Sequence, residues 1–124
     1  MDIVQLVRDH EKQVLADPSA LNRILSIRKL AKQHSEDATI QLASQHSLRR
    51  VFIHLLDSGA FTRIYSQDDK STHSWLMKQY ALVKSYLLDW IRSNNEQLVA
   101  SSIRTLLEVI TAYSHCPISL TPSL

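Results

Sequence analysis

The sequence predicts an all-α fold of about five helices, and three observations carry that prediction. Apolar residues recur at three- and four-residue steps over long stretches, the period of one face of a helix. Trp75, Leu76, Tyr80, Val83, Leu87, Trp90 and Ile91 do so; after a polar break at Ser93-Asn94-Asn95, Leu98, Ile103, Leu106, Leu107, Ile110 and Tyr113 repeat the pattern. The 124 residues include one glycine and three prolines, too few for the tight turns on which β-hairpins depend. Leucine, alanine, glutamine, lysine, arginine and glutamate are frequent, and these are good helix formers.

The elements follow in order. A first helix runs from Asp2 to about Leu15, with Ile3, Leu6, Val7, Val14 and Leu15 inward and Asp2 at the positive end of its dipole. Asp17 caps a second helix and Pro18 occupies its first position, where no donor is lost. That helix reaches about His34 and buries Leu21, Ile24, Leu25, Ile27 and Ala31. Ser35, followed by Glu36 and Asp37, starts a third helix carrying Ile40, Ala43, Leu48, Val51, Phe52, Leu55 and Leu56, and Gly59 closes it. From Ala60 to Thr72 the pattern is least regular: Phe61, Ile64 and Tyr65 dock on the core, and Gln67 to Ser71 form an exposed polar loop. Ser71 or Thr72 caps the fourth helix, which ends near Arg92. Asn94 or Asn95 caps the fifth, with Glu96 in its first turn. Residues 1–115 thus read as one domain, and 116–124, with two prolines, as an irregular tail. Helices of this length paired in hairpins are the unit of HEAT-like and armadillo-like stacks, so the architecture predicted is a helical-repeat α-solenoid segment. A closed five-helix bundle is the alternative.

Composition bounds the function. Hydrophobic residues make up 44%, which is not the composition of a disordered chain. The net charge of +2 announces no polyanion, although residues 23–50 hold six cationic side chains against Glu36 and Asp37. One cysteine, Cys116, permits no internal disulfide and suits a reducing compartment. The N-terminus lacks the pattern of a signal peptide, and no apolar run reaches the roughly 18–20 residues that span a bilayer.

No catalytic constellation emerges. Phosphate loops and nucleophile elbows need several glycines. Cys116 follows His115, but adjacent side chains diverge and the pair lies in the tail. The six histidines (His10, His34, His46, His54, His73 and His115) show no i, i+4 ligand pair. His46 and His54 stand about 12 Å apart along a helix axis, too far for one ion. The acidic pairs Glu36-Asp37 and Asp68-Asp69 read as a helix start and a solvated loop. The expectation is therefore no enzyme, no cofactor, no metal and no small-molecule substrate. Among the aromatic residues, Tyr80 and Trp90 share the apolar stripe, while Trp75 and Tyr86 lie at its margin and are the candidates for partner contact. Arg28, Lys29, Lys32, Arg49 and Arg50 are candidates for RNA contact; an ordinary solvated face accounts for them equally well.

The order of these features resembles the N-terminal region of the nucleolar complex protein 4 family over Ala20 to His115. The stretch Leu48-Arg49-Arg50-Val51-Phe52-Ile53-His54-Leu55-Leu56-Asp57-Ser58-Gly59 resembles that family's leucine-rich helix ending in glycine. Trp75 to Tyr80 resembles its tryptophan-x-x-x-x-tyrosine helix, and Gln97 to Ile110 its hairpin partner. The resemblance implies a helical-repeat scaffold of the nucleolus that acts with a nucleolar assembly-factor partner, and with pre-ribosomal RNA, in maturing the small ribosomal subunit. It also implies a fragment, because the family's partner-binding region lies further toward the C-terminus. A generic helical-repeat adaptor and an RNA-contacting helical module are the rival functions. On either repeat reading, exposed apolar residues such as Leu106 and Ile110 are expected on the last helix.

Overall fold

A computed structural model describes residues 2–60 and 67–114. Among them are five α-helices and one 3-10 turn, with no strand. Helix α1 is Ile3–Ala16, α2 Arg23–Gln33, α3 Ala38–Asp57, α4 Gln67–Ile91 and α5 Glu96–Ser114; the 3-10 turn is Pro18–Ala20.

Local chemistry sets the boundaries. The Asp2 carboxylate accepts from the Gln5 amide and caps α1. Asp17 accepts from the Ser19 amide at 2.9 Å, which closes the 3-10 turn. The second helical stretch is thereby divided, and α2 proper starts five residues later than Pro18. Asp37, not Ser35, caps α3, accepting from the Ile40 amide at 3.1 Å. Asn95 caps α5 through the Leu98 amide. Gly59 has φ 83°, the left-handed conformation that ends a helix with little cost only when Cβ is absent. Residues 67–71 are helical, so the polar loop expected there is the first turn of α4. Phe61, Ile64, Tyr65 and the 116–124 tail lie outside the described residues.

Helix α3 is the hub. Its two flanks pack on α1 and α5, which do not pack closely on each other. Helices α1, α3 and α5 therefore form one row. Helix α2 pairs with α1, and α4 pairs with α5, on the same side of that row. Among the described residues this is an all-α stack, as the helical-repeat reading expects, and α1 and α5 do not close on each other into a ring. Between the layers lies the core: Val7, Val14, Ile24, Ile27, Leu48, Val51, Phe52, Leu76, Val83, Leu87 and Val109 are all buried. Tyr80 stacks on Tyr113 with ring centroids 4.8 Å apart, and Lys84 Nζ lies 4.8 Å from the Tyr80 centroid. Burial, then the charge of Tyr113, pushes the Tyr80 phenol up to about 12.

The seam between α3 and α5 corrects the sequence reading. The buried face of α5 is Leu98, Ser102, Thr105 and Val109. Ile103 and Leu107, expected inward with them, are 42% and 60% exposed; of the two residues expected at the surface, Ile110 is 43% exposed and Leu106 is half-buried. Across the seam α3 presents Ser44 and Gln45, both fully buried, and Gln45 Nε2 donates to Ser102 Oγ at 2.8 Å. Small hydroxyl side chains let the two backbones approach closely, so they take the inner face although they are less apolar than Ile103 or Leu107.

Candidate functional site

The candidate site is a groove of about 660 Å³ between α2 and α4, floored by α3. Helix α2 and the turn after it contribute Arg28, Ala31, Lys32 and Ser35. Helix α4 contributes Leu82, Ser85, Tyr86, Asp89 and Trp90, and α3 supplies Gln41 and Leu48 at the bottom. Gln41 holds the three helices in register. Its Nε2 donates to the Ala31 and His34 carbonyls, both at 2.8 Å, and its Oε1 accepts from the Tyr86 hydroxyl at 2.6 Å. Burial is the main cause that drives the Tyr86 phenol far above its ordinary value, opposed by a hydrogen bond with Trp90. At one end of the groove Arg28 Nη1 donates to Oε1 of the buried Gln79 at 2.8 Å, a direct bridge from α2 to α4.

The structure sorts the cationic residues singled out in the sequence. Arg28 and Lys32 share the groove, and Lys29 is exposed on α2. Arg49 and Arg50, adjacent on α3, point about 100° apart and grip different helices. Arg49 pairs with Glu108 of α5 at 3.2 Å. Arg50 forks onto Glu11 of α1, Nε to Oε2 at 2.6 Å and Nη2 to Oε1 at 2.7 Å. The five cations therefore do not make one surface. The two aromatic candidates are also apart. Tyr86 is in the groove, while Trp75 is half-buried beside Leu21, Leu25 and Thr72 at the start of α2.

Two participants escaped the sequence reading. Glu11 is buried on the inward face of α1 between Val7 and Val14, where it also accepts from Ser47 Oγ at 2.6 Å. Its place in the i, i+4, i+7 stripe was the available signal. Gln41 has the same positional signal, seven residues before Leu48 and eleven before Phe52 on the inward stripe of α3.

The titrating groups predict a pH dependence. Burial raises the Glu11 pKa, but hydrogen bonds from Arg50 and Ser47 and the charges of Arg50 and Arg8 outweigh it and leave the group below 4.5. Burial, then Arg23, holds His10 below 6.5; burial, then Arg49, Arg50 and Arg104, does the same for His46. For both histidines the unfolded chain takes up the proton first, so stability is complete above 6.5 and declines as pH falls below it. Glu11 adds a further loss as pH falls below 4.5 through its folded value. Melting temperatures across pH 7.5 to 3.5 are expected to fall in both intervals. H46Q should reduce the upper loss and E11Q the lower one, and a flat profile would contradict the assignment.

Among the described residues, no group of three histidine, cysteine, aspartate or glutamate side chains is placed to hold a metal ion. None of the described helices is long and apolar enough to cross a membrane. The groove offers hydrogen-bonding, cationic and aromatic groups side by side on α2, α3 and α4.

Comparison with known proteins gives one family match. The model for nucleolar complex protein 4-like proteins, described as TPR repeats, matches residues 2–117. No curated protein and no solved structure matches the chain.

Proposed function

The chain belongs to the nucleolar complex protein 4-like, TPR-repeat family, and from that premise we propose that it is a non-enzymatic scaffold of ribosome biogenesis. It works in the nucleolus, in assembly of the small ribosomal subunit and processing of its RNA, by binding a nucleolar assembly-factor protein. The observation that carries this reading is the family match across all five helices. The physical character of the stack supports it. Ile103, Leu107 and Ile110 form an exposed apolar row on α5, the kind of surface used for association. Residues 1–115 act as a single unit, with Trp75 and Tyr86 near partner-facing edges. Any RNA contact falls to Arg28, Lys29 and Lys32, since Arg49 and Arg50 are committed to Glu108 and Glu11.

Affinity capture of the tagged chain from cells, with identification of what accompanies it, tests the proposal. Enrichment of small-subunit assembly factors is the expected result. Enrichment of an unrelated set of proteins would point to a generic adaptor and contradict it.

A further inference from the structure

We propose that the groove between α2 and α4 binds an extended acidic peptide segment of a protein partner, its carboxylates held by Arg28 and Lys32 and an apolar side chain seated on Leu82 and Trp90. The proposal rests on the scaffold reading and gives it a docking site.

Charge supplies the first argument. Helix α2 carries Arg23, Arg28, Lys29 and Lys32 and no acidic residue. Among the described residues Arg28 and Lys32 have no ion-pair partner, in contrast to Arg49 and Arg50. Arg28 is also held in place: one N–H is bonded to Gln79, and a guanidinium has five. A side chain already fixed loses less freedom when it meets a ligand.

The opposite wall supplies the second. Leu82 is 37% exposed, and Trp90 is half-buried and tied through the Tyr86 hydroxyl to Gln41. A braced aromatic beside an arginine is the usual composition of an interface anchor. The groove volume, about 660 Å³, lies within the ~300–1,000 Å³ typical of specific pockets.

Asp89 decides between a peptide and a nucleic acid. It stands on the α4 wall of the groove, across from the cations of α2. A peptide brings amide N–H donors for Asp89 as well as carboxylates for the cations. A phosphate backbone meets Asp89 with like charge, and it needs a longer track of cations than these two provide.

Panning a phage-displayed library of random linear peptides against the intact chain tests this inference. The enriched peptides are expected to place aspartate or glutamate beside a large apolar residue. Their affinity should fall at least threefold for K32E and about tenfold for R28E, and stay unchanged for R104E on α5. R28E also removes the bond to Gln79, so K32E, which breaks no ion pair among the described residues, keeps the result readable if R28E folds poorly. Failure to enrich any peptide, enrichment without acidic residues, or affinity indifferent to K32E would overturn the proposal. Oligouridylate binding lost in K32E, with no peptide enriched, would overturn it in favour of RNA. Panning reads the groove alone: if capture from cells still enriches assembly factors while panning fails, the scaffold reading stands and the groove assignment falls.

Discussion

Phe52→Ala should cost about 3–5 kcal/mol of stability, the largest loss expected from any single truncation in the chain. Among the described residues Phe52 is the largest fully buried side chain, and it sits where both layers meet. Its ring centroid is 6.1 Å from that of Tyr80, at a 50° tilt, so its removal opens a void between α3 and α4. A domain of this size is stable by about 5–15 kcal/mol, so the variant should be near the edge of folding at physiological temperature. Urea unfolding followed by circular dichroism measures the loss. Leu107→Ala is the contrast: Leu107 is 60% exposed, and its truncation should stay within about 0.5 kcal/mol. Similar losses for the two variants would mean that the inner and outer faces are wrongly assigned.

Gln41→Leu should cost about 2–4 kcal/mol, although leucine is close in size and more apolar. The substitution leaves the Ala31 carbonyl without its side-chain partner and takes one hydrogen bond each from the His34 carbonyl, which keeps the Asp37 amide, and the Tyr86 hydroxyl, which keeps Trp90. A buried polar group left unpaired costs about 1–3 kcal/mol, and each further hydrogen bond lost about 0.5–1.5 kcal/mol. Tyr86→Phe takes a partner from Gln41 Oε1 and from Trp90 and should cost less, about 1–2 kcal/mol. Because Gln41 ties α2, α3 and α4 together, its loss should also loosen the groove. Amide hydrogen exchange at the end of α2 should accelerate in Gln41→Leu and change little in Tyr86→Phe. The reverse order of losses would remove Gln41 from the centre of the site.

The helical class and most helix positions were legible because they depend on period and on capping chemistry, both local. Val7, Ile24, Ile27, Leu48, Phe52, Leu76 and Leu87 are buried as their spacing predicts. Departures from expectation occur where a tertiary partner decides. The first turn of α4 reads as a loop because its described residues Lys70, Ser71 and Thr72 are exposed, so no buried face marks it as helix. The inner face of α5 departs from expectation because hydropathy ranks Ile103 and Leu107 above Ser102 and Thr105. The partner surface on α3, with Ser44 and Gln45, reverses that order. Arg49 and Arg50 read as one basic patch because they are neighbours in sequence, yet a helix turns them onto different partners, Glu108 and Glu11. The groove has no local signature at all. It arises from three helices, joined by a glutamine whose position on the α3 stripe marks burial but not its partners.

Sedimentation of the tagged chain from nucleolar extracts on a gradient that separates ribosomal precursors tests the central claim most directly. The scaffold account predicts that the chain travels with precursors of the small subunit and returns to the top of the gradient when those particles are dissociated by salt. A chain that stays at the top under all conditions, or travels with another assembly, would contradict it.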